Sequence, residues 1–382
     1  MGKTLKKAQK IYSKFKQEPS WLLKRIRLER RSPVFPMTKF IFSNFNKLGI
    51  LYRKYRKYFI FHADKDNDIL SVFYDLRAHP LTFDFAYFLV GAEIFAKLNG
   101  KSKLFIWFIQ RDEEFIHDKE YLNVVDEERQ NWRFNNILLP IARMHSAYSG
   151  YGILPKGNSI KEYIKNDITY PEGFSENYSP RFDYKETMRS PNLASYKGFQ
   201  TPLQGQKYIN EWMNYAEIVS PIVSISLRNY GYDRMRNSNI VEWVKFADWV
   251  SQRGYTPVFI PDVDACWQPD DRLERHIVFT DACWNLELRM AFYDACFVSF
   301  FYSNGLVALA QLNKNIRFIS MHPLIKDSKQ ATIEIYKSHG MPIGERKSDF
   351  GETFQWLSWK QDSFENIKSE FLEFEDQFSD KQ

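Results

Sequence analysis

Residues 221–239 read PIVSISLRNYGYDRMRNSN, and an amphipathic stretch at 240–252, IVEWVKFADWVSQ, follows directly. The first seven residues are a short apolar run, which is typical of a buried strand in a parallel sheet. The next twelve residues are polar and include three arginines and three asparagines. A buried strand, a polar loop and a helix in this order predict one βα unit.

The same alternation extends in both directions from this stretch. Strands are predicted at 69–74, 104–109, 256–260, 297–302 and 316–320, and helices at 83–98, 131–145, 204–216, 284–295 and 306–312. Thr82 is placed to begin the first of these helices, and Ser363 to begin a last helix over 363–377. Strands that alternate with helices at this spacing indicate parallel sheets of βαβ units, and therefore the α/β class.

Residues 149–203 interrupt this alternation. They are rich in Gly, Pro, Ser, Asn and Tyr and show little periodicity. A long stretch of this kind within a folded chain is usually functional or a linker. We expect an interdomain segment at 149–203, between an N-terminal domain at 58–148 and a C-terminal domain at 204–362 that is followed by a helical segment at 363–382. The ligand is then expected in the cleft between the two domains.

Length and composition favour a two-domain protein. The chain has 382 residues and a mass of 45.6 kDa, and 44% of its residues are apolar, which is enough for packed cores. Its three cysteines have no Cys-x-x-Cys spacing, which excludes a disulfide framework and disfavours a structural zinc site. No apolar run is long enough to cross a bilayer, and the N-terminus has no apolar signal-like segment. We expect a soluble, cytoplasmic protein.

Positive charge is concentrated at the N-terminus. Residues 1–57 contain 17 lysines and arginines and two glutamates, a net charge of +15, so that the rest of this +6 chain carries −9. Five apolar side chains recur at helical spacing among these lysines: Leu5, Ala8, Ile11, Tyr12 and Phe15. A basic amphipathic helix of this kind can lie in the headgroup layer of an anionic membrane. A solvated helix, or one packed on the acidic body, is the alternative.

Nucleic acid is the other polyanion that a basic arm could bind. The chain has no RNP-like or zinc-finger signature, and the −9 charge of the remaining residues would repel phosphate. We therefore predict no nucleic-acid partner, and we expect peripheral contact with the inner face of a membrane.

The loop after the predicted strand at 221–227 is the first candidate binding site. It carries the basic and amide side chains Arg228, Arg234, Arg236, Asn237 and Asn239 between the end of a strand and the start of a helix. Guanidinium groups and free helix N–H groups at one place suit a phosphate or diphosphate. The alternative is a surface loop whose arginines pair with local acids such as Asp233 and Glu242.

Three further strand ends carry polar residues. Asp262 could accept a hydrogen bond from a ribose or sugar hydroxyl, or could hold Mg²⁺ or Mn²⁺ together with Asp264. The tripeptide Ser303, Asn304 and Gly305 suits a second phosphate or ribose contact, because Gly lets the backbone approach a ligand. His322 follows the strand at 316–320, where it could meet a phosphate or simply belong to the core.

Candidate bases lie in the loop after the predicted strand at 69–74. A general base must lie within hydrogen-bond reach of the proton that it takes, and Asp75, His79 and Asp84 are in or next to this loop. Asp84 also falls in the first turn of a helix, where the helix dipole favours an acid in any case. The motifs of serine hydrolases, P-loop enzymes, zincins and dinucleotide dehydrogenases are missing from the sequence, which disfavours those classes.

The layout resembles that of GT-B glycosyltransferases. It is similar, more narrowly, to uncharacterised glycosyltransferase-like proteins found with bacterial surface-polysaccharide genes. The resemblance covers about residues 68–362 and is carried by 74–85, by 227–239 with 261–262, and by 289–305. It implies two Rossmann-like domains facing a cleft, with the nucleotide in the second domain and the acceptor on the first.

The resemblance also implies an activity. A hexosyl or deoxyhexosyl group would pass from a GDP- or UDP-linked donor to a glycan or lipid-linked acceptor, with no cofactor and no metal. The strand that ends at Arg228 is similar to the arginine-bearing strand of GDP-fucose-using GT-B enzymes, which implies that Arg228 contacts the donor diphosphate, and Arg236 would share its charge. His322 and Pro323 resemble the CMP-binding motif of bacterial sialyl- and Kdo-transferases. In those families a serine motif follows His-Pro, whereas Ser303 precedes it here, which disfavours a CMP-sugar.

Two alternatives remain at this point. The chain could be a GT-A-like, Mn-dependent glycosyltransferase that uses Asp262 and Asp264. It could also be a non-catalytic scaffold that keeps a nucleotide or glycan pocket and docks through its basic arm.

Overall fold

The computed structural model describes residues 29–34, 36–42, 44, 68–111, 124–154, 160, 163–164, 168–180, 182 and 197–379. Residues 29–31 and 36–42 are helical. Most of the predicted basic arm at 1–57, including the apolar positions between 5 and 15, lies outside the described residues. None of the described helices is long and apolar enough to cross a membrane.

The chain forms two compact units. Unit 1 comprises the described residues within 1–80, 92–119 and 147–183, and unit 2 those within 81–91, 120–146 and 184–382. Residues 81–91 and 120–146, which the sequence placed in the first domain, cluster with unit 2.

Unit 1 contains a four-stranded parallel sheet. Its strands are β1 (Ile69–Asp75), β2 (Lys103–Ile109), β3 (Tyr148–Leu154) and β4 (Thr169–Tyr170), in the spatial order β3-β2-β1-β4. The apolar side chains of β1 form the centre of this unit, where Phe73 stacks on Phe174 with ring centroids 4.5 Å apart. The parallel arrangement that the sequence predicted for this part of the chain is confirmed.

Strands β3 and β4 lie within the segment that we expected to be an irregular linker, so that expectation is wrong for 149–154 and 169–170. The sequence of β3, YSGYGIL, has two glycines and few apolar residues, and therefore looks like a loop. The glycines are required by packing. A Cβ atom on Gly152 would lie 2.2 Å from the ring of Trp107 on β2, so only glycine lets the two strands come together there.

Unit 2 contains a six-stranded parallel sheet. Its strands are β5 (Ile222–Ser226), β6 (Thr256–Ile260), β7 (Ile277–Val278), β8 (Val298–Tyr302), β9 (Phe318–Met321) and β10 (Gln355–Ser358), in the order β10-β9-β8-β5-β6-β7. Counted within this sheet, the order is 3-2-1-4-5-6, which is that of a doubly wound Rossmann-like domain. The chain reverses its direction of travel across the sheet between β5 and β8, and ligands of such folds bind at that switch point.

Ten α-helices follow residue 68 in the described part of the chain. They are α1 (Phe85–Leu98), α2 (Glu127–Arg133), α3 (Leu139–Met144), α4 (Leu203–Tyr215), α5 (Ile240–Gln252), α6 (Asp281–Trp284), α7 (Leu286–Ala295), α8 (Val307–Gln311), α9 (Ile333–Ser338) and α10 (Phe364–Phe378). A π-helical turn, Phe134–Leu138, joins α2 to α3. Helix α5 has the bounds that the sequence predicted, and Ser363 caps α10 as expected, through a bond from the Asn366 amide. Thr82, which was expected to cap α1, donates its hydroxyl hydrogen bond to the Asp84 carboxylate.

Aromatic side chains fill the core of unit 2. Trp243 and Phe246 of α5 lie against Phe300 of β8, and Phe371 of α10 contacts Phe246 with centroids 5.7 Å apart. All four side chains are buried. Helices α5 and α10 therefore cover one face of the sheet, and their packing holds the loop between β5 and α5 at its carboxyl edge.

Candidate functional site

A cavity of about 830 Å³ opens in unit 2 at the carboxyl ends of β5, β6 and β8. We call it the arginine cavity, because five arginines line it: Arg129, Arg133, Arg228, Arg236 and Arg289. All of its lining residues belong to unit 2. It occupies the switch point of the sheet, where a doubly wound fold binds its ligand.

The loop after β5 is folded by its own side chains. Ser238 Oγ accepts from the Arg228 amide at 2.8 Å, and Asn237 Oδ1 accepts from the Tyr230 amide at 3.1 Å. The Arg228 guanidinium donates to the Tyr232 carbonyl at 2.7 Å. Asn237, which was predicted to contact the ligand, thus shapes the loop. The two arginines of the loop that line the cavity, Arg228 and Arg236, lie near its two ends.

Arg228 reaches into the cavity with one donor unused. Its Nε is buried and has no hydrogen-bond partner among the described residues, and its guanidinium lies over the ring of Tyr230 at 5.5 Å. Burial, together with the neighbouring charge of Arg236, lowers the pKa of Arg228 to about 10. The protein therefore holds a destabilised cation here, which a bound anion would stabilise.

Arg236 bridges the two loops of the switch point. Its Nε donates to Ser303 Oγ at 2.8 Å, and a terminal nitrogen donates to the Ser303 carbonyl at 2.7 Å. Burial lowers the pKa of Arg236 as well. Ser303 (φ 44°) and Asp233 (φ 56°) both adopt the left-handed conformation, which costs energy for residues other than glycine and is concentrated at functional sites.

Arg289 on α7 lines the same cavity. Its Nε donates to Tyr293 Oη at 2.7 Å, one helical turn further on, and Tyr293 in turn shares a 2.6 Å hydrogen bond with Ser226 of β5. This relay fixes the guanidinium relative to the sheet. Sequence reasoning did not assign Arg289 a role, since a lone arginine within a helix carries no local signal.

Arg129 and Arg133 on α2 were also missed. Arg133 donates to Tyr230 Oη at 3.0 Å, and both guanidinium groups lie over the Tyr230 ring at 5.7–5.9 Å. Helix α2 begins before the predicted position 131, at a cap where the Asp126 carboxylate accepts from the Arg129 amide. An acid at the cap followed by Glu127 and Glu128 is a helix-start signal that could have identified α2.

Asp262 and Asp264 both line the cavity, but their carboxylates already have donors. Asp262 accepts from the amides of Val263 at 2.9 Å and Asn229 at 3.2 Å, and burial raises its pKa. Asp264 forms a two-point ion pair with Arg129, with both distances at 2.8 Å. Within the part of the chain that the structure describes, no group of three or more His, Cys, Asp or Glu side chains could hold a metal ion.

Asp84 is the candidate base that lies in the cavity. Asp84 is exposed in the cavity wall, yet the protein atoms packed around its carboxylate raise its pKa. Thr82 Oγ1 donates to Asp84 Oδ2 at 3.0 Å. A carboxylate with a raised pKa at the edge of an anion site is suited to take a proton from a hydroxyl.

Asp75 and His79 lie inside unit 1. The fully buried Asp75 carboxylate forms a two-point ion pair with Arg77, at 2.7 and 2.8 Å. His79 Nε2 accepts from the Phe182 amide at 3.1 Å, and its Nδ1 lies 3.1 Å from the Asp75 carbonyl. Both side chains are used to shape the loop after β1, and neither lines the arginine cavity.

Five predicted ligand contacts lie outside the cavity lining: Arg234, Asn237, Asn239, Ser303 and His322. Arg234 is exposed to solvent. The Asn239 amide, at the start of α5, donates to Asp362 at 2.7 Å, so this expected phosphate donor is already occupied. His322 is buried against Tyr336 and Trp359, and its Nε2 lies 2.8 Å from Ser320 Oγ. Burial lowers its pKa to about 3. Of the two interpretations of His322, the structure therefore favours a core residue over a phosphate contact.

Asn304 and Gly305 do line the cavity. A Cβ atom on Gly305 would lie 3.3 Å from the Phe83 ring, so that glycine allows residues 82–84 to approach this turn. Asn304 Oδ1 accepts from the Leu306 amide at 3.0 Å and thereby holds the turn before α8. The turn after β8 thus meets the residues beside Asp84.

Comparison of the sequence with protein-family models and with curated proteins gives no match. Comparison with solved structures gives several matches. The glycosyl transferase family 9 protein from Veillonella parvula DSM 2008 is 10% identical, with 71% of this chain and 84% of that chain covered at a TM-score of 0.38.

Two Escherichia coli structures match over most of their length. ADP-heptose LPS heptosyltransferase II is 12% identical, with 80% of this chain and 98% of that chain covered at a TM-score of 0.39. Heptosyltransferase WaaC with ADP is 9% identical, with 80% and 99% covered at a TM-score of 0.42. These proteins belong to the glycosyltransferase class that the sequence resembles.

Proposed function

We propose that the arginine cavity binds the diphosphate of a nucleotide-sugar and that the protein is a metal-independent glycosyltransferase. One observation carries the proposal. Arg228, Arg236 and Arg289 line one cavity, and none of the three forms an ion pair with any residue that the structure describes. Burial lowers the pKa of both Arg228 and Arg236, so an anion bound beside them would stabilise their charged forms.

A diphosphate would supply the missing charge. Partly buried cations without a counter-charge are costly, because they lose hydration and gain no partner. Guanidinium groups match phosphate oxygens in two-point hydrogen bonds, which are about twice as strong as neutral ones. The same groups would stabilise the charge that develops on the diphosphate as it leaves the sugar, which is the role a metal ion plays in other transferases.

The transfer step uses Asp84 as the base. Its carboxylate takes the proton of the acceptor hydroxyl, the hydroxyl oxygen forms the new bond to the anomeric carbon, and the bond from that carbon to the diphosphate breaks. The electron pair of the broken bond stays on the diphosphate, beside the arginines. This step inverts the anomeric centre.

The donor and acceptor classes follow from the resemblance of the sequence. We propose a GDP- or UDP-linked sugar as the donor, and a glycan or a lipid-linked saccharide of a surface polysaccharide as the acceptor. The basic arm would bring the protein to an anionic membrane surface where such acceptors are found.

Thermal unfolding with nucleotides tests the donor site. UDP, GDP, ADP, dTDP and CMP are each added, with and without EDTA, to the native protein, to Arg228→Ala and to Arg234→Ala, the exposed arginine of the same loop. A ligand at a hundredfold its dissociation constant adds about 2.7 kcal/mol to the free energy of unfolding. We expect stabilisation by one nucleotide in native protein and Arg234→Ala, its loss in Arg228→Ala, and no effect of EDTA.

The other outcomes separate the alternatives. Stabilisation that EDTA abolishes would favour the Mn-dependent mechanism through Asp262 and Asp264. Nucleotide binding without transfer to any acceptor would favour the scaffold. No stabilisation by any nucleotide overturns the proposal.

A further inference from the structure

We propose that Trp132 and Trp284 form the nucleobase end of the arginine cavity, where the base of the nucleotide stacks on an indole ring. This inference rests on the proposed function, since it extends the donor site beyond the diphosphate. Neither tryptophan was singled out by its sequence context, and both line the cavity.

The cavity has a reacting end. Arg236 is hydrogen-bonded to Ser303, and two residues further on Gly305 lies against Phe83, the neighbour of Asp84. Asp84, the proposed base, therefore lines the cavity where the turn after β8 approaches residues 82–84. In a bound donor, the sugar-bearing phosphate belongs at this end.

Further charged side chains, Arg228, Asp262 and Arg289, line the rest of the cavity. Arg228 is close enough to Arg236 for the two charges to repel each other, and Asp262 is attracted to both Arg228 and Arg289. Asp262 lies at the carboxyl end of β6 and still has oxygen lone pairs, so it can accept from a ribose hydroxyl. A diphosphate along the arginines thus places the ribose near Asp262.

An aromatic corner follows. Cys283 donates from its thiol to the carbonyl of Pro261, next to Asp262, at 3.2 Å, which brings the following residue, Trp284, close to Asp262 in the cavity wall. The Trp284 indole is held by a 2.9 Å hydrogen bond from its Nε1 to Cys266 Sγ. Trp132 stands perpendicular to it, with centroids 5.6 Å apart at 89°.

This corner has the properties of a base-binding surface. Trp284 is 41% exposed although it lines a cavity, which leaves apolar aromatic area for a flat ligand. Trp132 Nε1 is buried and has no hydrogen-bond partner in the part of the chain that the structure describes, so an acceptor on the ligand would satisfy it. Every nucleobase offers both a π-face and such an acceptor.

Calorimetric titration of two kinds of ligand tests the inference. ADP, GDP and UDP carry a base, whereas inorganic pyrophosphate carries only the diphosphate. They are titrated into native protein, Trp284→Ala, Trp284→Leu, which keeps apolar volume without the aromatic face, and Trp132→Phe. We expect the affinity for the best nucleoside diphosphate to fall about 10- to 100-fold in the Trp284 variants, the loss expected for one stacked base. Trp132→Phe should weaken it less, and pyrophosphate should bind all four proteins equally.

The remaining results are each decisive. Unchanged nucleotide affinity in the Trp284 variants overturns the inference and leaves the diphosphate site intact. Equal weakening of nucleotide and pyrophosphate also overturns it, because the indoles would then surround the phosphates. If the native protein binds neither ligand, the proposed function fails, and this inference fails with it.

Discussion

Asp84 differs from the other candidate bases in where its carboxylate lies. Asp75 is fully buried in an ion pair, whereas Asp84 borders the arginine cavity and is reached by water. The two residues are nine positions apart and equally plausible in sequence. Only the fold shows that one belongs to a closed ion pair and the other to an open site.

Replacement of Asp84 by Asn should lower kcat about 10²- to 10⁴-fold and leave nucleotide affinity unchanged, because a base acts on the acceptor and not on the donor. For the native protein, kcat/KM should fall as the pH is lowered through a pKa above the ordinary value of about 3.9, since the carboxylate must be ionised and burial raises its pKa. Steady-state kinetics between pH 4 and 9 measures both. Glu127→Gln, an exposed acid outside the cavity, serves as the control. Full activity in Asp84→Asn would contradict the assignment.

His322 should make the fold sensitive to acid. Burial lowers its pKa from 6.5 to about 3, so between these values the unfolded chain binds a proton that the folded protein does not. The free energy of unfolding therefore falls as the pH falls through this window, by up to about 1.4 kcal/mol per pH unit. In urea titrations at pH 7, 5.5 and 4.5, His322→Gln should lose less stability than the native protein. Equal pH slopes for the two proteins would exclude this contribution.

At the scale of elements, the N-terminus of α5 shows how a local rule is replaced by a distant contact. Asn239 has a preferred type for a helix cap, yet its side chain does not cap the helix. Asp362, 123 residues further along the chain, accepts from the Asn239 amide at 2.7 Å and from Trp243 Nε1 at 2.9 Å. The expected anion-binding helix terminus is thus closed by the protein's own carboxylate, and the arginine side chains remain as donors.

Asp362→Ala should lower the free energy of unfolding by about 1–3 kcal/mol, because it leaves the buried indole N–H of Trp243 without an acceptor and removes the cap of α5. Urea denaturation measures this loss. The matched control is Glu365→Ala, an exposed acid in the first turn of α10, which should change stability by less than about 0.5 kcal/mol. Equal effects of both substitutions would show that the carboxylate does not hold the helix.

At the scale of the whole molecule, the basic N-terminal arm makes contact with the rest of the chain through its described residues. Glu29 is buried and accepts from the Val34 amide at 2.7 Å and from the Thr38 hydroxyl, and the Arg31 carbonyl accepts from the Ser179 amide. The described helical turn at 29–31 is thereby bonded to residue 179 of unit 1. Met37 and Phe40 in the adjoining helical stretch are 74% and 71% exposed.

Removal of residues 2–28 should abolish binding to anionic vesicles while leaving residues 29–38 in place. The deleted segment carries nine lysines and arginines and one glutamate, and basic residues contribute about 1 kcal/mol each near an anionic surface. Co-sedimentation with phosphatidylglycerol vesicles at low and high salt measures this binding, and phosphatidylcholine vesicles serve as the control. A role for the arm would be contradicted if the shortened protein still binds the vesicles, or if binding by the native protein does not weaken at high salt.

The sequence by itself determined the α/β class, the parallel arrangement of most strands and the strand-loop-helix unit at 221–252, because hydrophobic periodicity is a local property that each element carries in its own residues. It missed β3, β4, β7 and β10, which are very short or contain glycine. Six of the residues that it predicted for the site line the arginine cavity, since strand ends of a parallel sheet meet at one edge: Asp84, Arg228, Arg236, Asp262, Asn304 and Gly305. Tertiary structure alone decided which of the polar residues share a cavity. Arg129, Arg133, Arg289, Trp132 and Trp284 come from helices far apart in the chain, and Asp75, Asn239 and His322 are taken by partners that the sequence does not show. A side chain's availability depends on what the fold places within about 3 Å of it, the length of a hydrogen bond, and no local pattern records that distance.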